Sequence, residues 1–185
     1  MSMQADWLAR MALRSRFYLW TGIARMIVPE QGSFGLRARA LRLAGVDVHS
    51  SVRISRTVRF VYPNISVGSA TFIGPEVLIY SNARGQIVVG RNVDIAPRVV
   101  ICAGSHEVGL EGRRAGEGIG SNISIGDGTW IGLGATILLG SSIGNMSIVA
   151  AGAVVNGDFP PNSLLAGVPA KVVRVLGTKL RSTTP

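Results

Sequence analysis

The stretch ISIGDGTWIGLGATILLGSSIGNMSIVAAGAVV, residues 123 to 155, decides the fold. An aliphatic residue returns at every sixth position, at Ile125, Ile131, Ile137, Ile143, Val149 and Val155. A small or hydroxylated residue follows four positions behind, at Thr129, Ala135, Ser141, Ser147 and Ala153. A helix repeats about every 3.6 residues and a strand alternates, so neither alone produces a six-residue beat.

The beat extends backwards through Val48, Ile54 and Phe60, then Val67, Ile73 and Ile79, then Val89, Ile95 and Ile101. The companions there are Val52, Val58, Thr71, Val77, Val93 and Val99, which makes fifteen hexapeptides in all. Interruptions follow Phe60, Ile79 and Ile101, in each case after a third hexapeptide. If three hexapeptides complete one coil, every insertion leaves from the same corner, and about five coils stack into a triangular prism, a parallel β-helix. At about 4.8 Å per coil the stack is roughly 24 Å tall. Small residues after the buried aliphatic, as in IGDG, IGLG and IGNM, suit tight corners.

Composition agrees with many short strands. The 185 residues are 47% hydrophobic but only 6% aromatic, with 24 glycines. One cysteine, Cys102, excludes an internal disulfide and reads as a small apolar residue. No apolar run approaches a membrane span, and the chain reads as cytoplasmic. The formal net charge is +9, and residues 1–60 hold +7 of it, from ten arginines against three acidic residues.

Residues 1–45 differ in kind from residues 46–176, and 177–185 read as a tail. Trp7, Leu8, Met11, Tyr18, Leu19, Ile23, Met26 and Ile27 recur near helical spacing, with Arg10, Arg14 and Arg25 between them. Pro29 and the segment EQGSFG break the pattern before a second basic helical stretch, LRARALRLAG. Two readings stand. The segment caps an open end of the β-helix, where bare strand edges invite association, or it makes peripheral contact with an anionic membrane surface.

Periodicity leaves handedness open, and the general rule for parallel connections favours a right-handed path. The stretch IGDGTWIGLGATILLGSSIGNMSIVAAGAVV, followed by DFPPNSLLAGVPAKVVR, resembles the hexapeptide-repeat acyltransferases, in particular the sugar O-acetyltransferase group of galactoside, maltose and exopolysaccharide enzymes. The resemblance implies a left-handed parallel β-helix, a homotrimer with clefts between adjacent prisms, and transfer from acetyl-CoA to a sugar-type acceptor without a metal. It also implies a place in polysaccharide or glycoconjugate biosynthesis.

Residue by residue, the resemblance implies that His106, in the longest insertion, is the general base. A sugar hydroxyl is too weak an acid to attack a thioester unaided, so a neutral imidazole must take its proton. The backbone amide of Leu133 would stabilise the charge that develops on the thioester oxygen. Coenzyme A would run past Trp130, Gly132, Leu133, Ala151 and Gly152, with Lys171 and Arg174 near its phosphates. Asn156 and Gly157 stand where relatives often carry Thr and Lys, so one phosphate contact is missing. On the acceptor side, Tyr80 and Asn82 in the preceding insertion are the candidates, with Asp94 and Arg84 read as turn residues. Glu107 or a backbone carbonyl would orient His106, and His49 reads as structural or exposed.

Readings from other classes are weaker. A γ-type carbonic anhydrase needs three His ligands and the chain has two. Nucleic-acid binding would interleave aromatics with the basic residues, and no binding motif occurs. A non-catalytic β-helix scaffold, or transfer to an amino group or a non-sugar small molecule, is the remaining alternative.

Overall fold

The computed structural model of the chain describes residues 3–27 and 33–177, and side chains from residue 11. Pro29, Glu30, the tail beyond residue 177 and the side chains of Trp7, Leu8 and Arg10 lie outside the described residues.

All fifteen beat positions face inward, none more than 8% exposed, and the companion positions are buried with them. The reason is local. Each inward aliphatic lies on a strand of two or three residues and is stacked on its counterpart one coil away, as in Ile73, Ile95, Ile131 and Val149. Hydroxyls at companion positions find corner or strand carbonyls: Thr71 donates to Gly90 at 2.8 Å and Ser141 to Val155 at 3.2 Å. Small polar residues are therefore tolerated in the core.

The strands form three parallel faces. The first holds Asp47–Val48, Ile65–Val67, Ile87–Val89, Ile123–Ile125, Ser142–Ile143 and Asp158–Phe159. The second holds Arg53–Ile54, Phe72–Ile73, Asp94–Ile95, Trp130–Ile131, Ile148–Val149 and Ser163–Gly167, and Ala170–Val175 folds back antiparallel on its lower edge. The third holds Arg59–Val61, Leu78–Tyr80, Val100–Cys102, Thr136–Leu138 and Val154–Val155. Beyond the five complete coils there is thus a sixth, two-sided one, which the hexapeptide count misses because Phe159 follows Ile143 by sixteen residues and not eighteen.

The insertions leave between the third face and the first. Each chain re-enters through an extra buried isoleucine, Ile65, Ile87 or Ile123, two residues before the beat position, and these three stack on one another.

Helices α1 (Met3–Met26) and α2 (Phe34–Leu43) close the upper end. Ala38, Ala40 and Leu41 of α2, with Phe17 and Ala24 of α1, join the same core as Val46, Val48, Val52 and Ile54. Arg37 is buried, which the surface reading of the basic segment did not anticipate. Its guanidinium donates to the carbonyls of Ile54 and Ile27, pinning both helices to the first coil. Removing residues 1–44 bares the end of this core, so the truncated protein is expected to aggregate by light scattering whether or not lipid is present; a monodisperse product would contradict capping.

Candidate active site

The longest insertion is a hairpin. Gly104–Val108 pairs antiparallel with Ala115–Gly120, and His106 lies opposite Gly118. The first pair is Gly104 with Gly120 for a steric reason. A Cβ on Gly120 would lie 2.4 Å from Asn82 Oδ1, and one on Gly104 would lie 2.8 Å from Asn82 Nδ2 and 3.0 Å from Tyr80 Cε1. The hairpin therefore seats directly on the preceding insertion.

Between them is a cleft of about 480 Å³ that holds Tyr80, Asn82, Arg84, Cys102, His106 and Glu117. His106 is exposed, and its Nδ1 is 3.0 Å from the carbonyl oxygen of Gly116. A carbonyl only accepts, so Nδ1 carries a proton, and in the neutral ring the lone pair then lies on Nε2. The orienting group is thus the Gly116 carbonyl across the hairpin, and no hydrogen bond from Glu107 to the ring is among the described ones. His49 is far along the chain, exposed, and bonded to Ser51 in a local turn.

The two acceptor candidates differ. Asn82 Oδ1 accepts the N–H groups of Arg84 and Gly85, both at 2.8 Å, and its Nδ2 donates to the Ile119 carbonyl. This amide holds the insertion against the hairpin. Tyr80 is 39% exposed into the cleft. Arg84 donates to the Gly118 carbonyl, and Asp94 lies on the second face beside Trp130. Cys102, which lines the cleft and donates to the Gly104 carbonyl, had no signal in sequence beyond its position just before the insertion. A second groove, lined by Leu13, Arg14, Phe17, Tyr18 and Tyr62, adjoins the cleft through Tyr80, Asn82 and Ala83.

The other residues singled out are not in this cleft. Leu133, Ala151 and Gly152 lie at the corner between the second and third faces, a different edge of the prism. Register places Pro75, Pro97, Leu133 and Ala151 at equivalent positions down that corner. The second and third coils, with Pro75 and Pro97, have no N–H there, whereas among the described residues the N–H groups of Leu133 and Ala151 donate to nothing. Gly152, with φ +69°, has open space where a Cβ would be. At Gly132 a Cβ would meet Ala151 N at 2.6 Å and Val149 O at 2.7 Å, so stacking of the coils demands a glycine there. Trp130 is exposed on the second face, in one row with Ile148, Leu164 and Arg174. Lys171 lies three residues earlier on the same terminal strand, opposite Ala166, and both cations are exposed.

No family model matches the chain. A Schizosaccharomyces pombe protein named as an acetyltransferase is 43% identical over 143 residues, which are 75% of this chain and 68% of that protein. The hexapeptide-repeat-containing acetyltransferase of Vibrio cholerae superimposes with a TM-score of 0.79 and 32% identity, covering 90% of this chain and 92% of that one. This chain belongs to the hexapeptide-repeat acetyltransferases. The galactoside acetyltransferase solved with coenzyme A has a TM-score of 0.80 and 29% identity, over 90% of this chain and 82% of that one. The Vibrio protein has also been solved with acetyl coenzyme A.

The Gly116 contact makes a spectroscopic prediction for this member of the family. Nitrogen-15 NMR of the neutral protein should find His106 as the Nδ1–H tautomer; a dominant Nε2–H form would contradict the geometry.

Proposed function

We propose that this acetyltransferase moves an acetyl group from acetyl-CoA to a sugar hydroxyl, with His106 as general base, in a homotrimer. The observation that supports it most is the His106 ring itself, exposed in a cleft with Nδ1 tied to the Gly116 carbonyl and Nε2 free. The complexes of two relatives with coenzyme A or its acetyl ester support the donor, and the galactoside enzyme supports a sugar acceptor.

Nε2 takes the proton of the acceptor hydroxyl as its oxygen attacks the thioester carbonyl. The negative charge on the carbonyl oxygen is received by the Leu133 N–H, a fixed donor at a rigid corner. Collapse forms the ester and breaks the C–S bond, and the imidazolium returns its proton to the departing thiolate of CoA. Tyr80 borders the acceptor, while Lys171 and Arg174 meet the phosphates of CoA.

His106 and Leu133 belong to different edges of one prism, so the mechanism needs a second copy to bring them together. Three features favour that assembly. The third face lies between these two edges, and its outward row, Arg59, Leu78, Val100, Thr136 and Val154, is aliphatic at three of its five positions. The hairpin projects Val108 and Leu110, each 87% exposed. Threefold symmetry uses a heterologous interface, which places one kind of edge against the other at every contact.

His106→Ala should lower turnover at least about 100-fold with CoA binding and melting unchanged. Replacing Lys171 and Arg174 with Ala should raise the KM for acetyl-CoA, with a smaller effect for the dephospho-CoA thioester. Near-normal turnover of the His106 variant would remove the mechanism, and equal losses with both donors would remove the phosphate role of the cations.

A further inference from the structure

Helix α1 carries apolar residues on two opposite sides. Phe17 and Ala24 are buried against the core, and Trp20 and Ile27 pack partly against it. At about 100° per residue, Met11, Tyr18, Leu19 and Met26 fall on the other side, and they are 46, 58, 59 and 72% exposed. A helix docked on a core ordinarily turns polar residues outward. Here the outward row is apolar, is bordered by the exposed Arg14 and Arg25, and no acidic residue occurs between residues 11 and 27. The neighbouring α2 repeats the composition, with Leu36 and Leu43 exposed, Arg39 between them and no acidic residue from 33 to 46.

We propose that the outward face of α1 docks on an anionic lipid surface, its apolar row entering the boundary between headgroups and acyl chains and its arginines meeting the phosphates. Charge decides the occupant. A second copy of the chain, joined through the same face, would set arginines against arginines with no carboxylate to offset them. A lipid surface supplies the missing negative charge together with an apolar layer. The inference does not depend on the reaction proposed above. It gives that reaction a location, because Leu13, Arg14 and Phe17 of the same helix wall the groove that adjoins the His106 cleft.

The test is flotation of the full chain with phosphatidylcholine vesicles containing about 30% phosphatidylglycerol, compared with phosphatidylcholine alone, at low and raised salt. Wild type should bind the anionic vesicles at least about 10-fold more tightly than the neutral ones, and salt should weaken that binding. The double variant Leu19→Asp with Met26→Asp should lose at least about 10-fold in binding, keep its melting temperature and keep its turnover on soluble acceptors. Leu19→Met with Met26→Leu should bind as wild type. Failure of wild type to float with anionic vesicles overturns the proposal, as does unaltered flotation of the Asp variant. A fall in oligomeric mass in the Asp variant would show instead that this face joins copies of the chain.

Discussion

Every strand of the prism is two or three residues long in most coils, too short to persist alone, and each closes its backbone hydrogen bonds only on the coils above and below. The parallel ladder, for instance Gly74 N to Ile95 O at 2.9 Å and Ala96 N to Ile131 O at 2.9 Å, therefore requires strict register from coil to coil. Register fixes which side chains stack inward. It also forbids insertions wherever a corner is used for stacking, which leaves one edge of the prism free to grow loops. The His106 hairpin occupies that edge, and the open upper end of the ladder is what α1 and α2 cover.

The same constraint divides the residues of the site. Gly132 is required because the next coil approaches its backbone, while one residue later the Leu133 N–H turns outward with no partner among the described residues. Two coils higher, proline fills the equivalent position and offers no donor. The corner changes from closed to donor-bearing between the coil of Pro97 and that of Leu133, where the long insertion falls in the chain. Asn82 gives its amide to the scaffold, and Tyr80 beside it keeps an exposed edge in the cleft.

Much of this was legible in the sequence because the prism is quasi-one-dimensional. Six-residue spacing alone located Val48 to Val155 in the core, and the resemblance in the C-terminal half pointed to the His106 loop. What the spacing could not carry were features made by contacts between segments without the beat. The hairpin pairing that orients His106 through Gly116 depends on hydrogen bonds between residues ten apart in a glycine-rich loop. The burial of Arg37 depends on carbonyls of Ile27 and Ile54 that only the folded cap brings together. Phe159 broke the count because its coil is two residues short.

The central claim is that His106 of one copy works with the Leu133 N–H of another. Leu133→Pro removes that N–H at a corner whose backbone already accepts Pro75 and Pro97, so the fold should survive while turnover falls about 100-fold. Mixing this variant with His106→Ala under conditions that exchange subunits tests the claim directly. If the site is shared between copies, an equal mixture should recover about a quarter of wild-type turnover, since one interface in four pairs an intact His106 with an intact amide. A mixture no more active than its two components would place both groups in one chain and contradict the account.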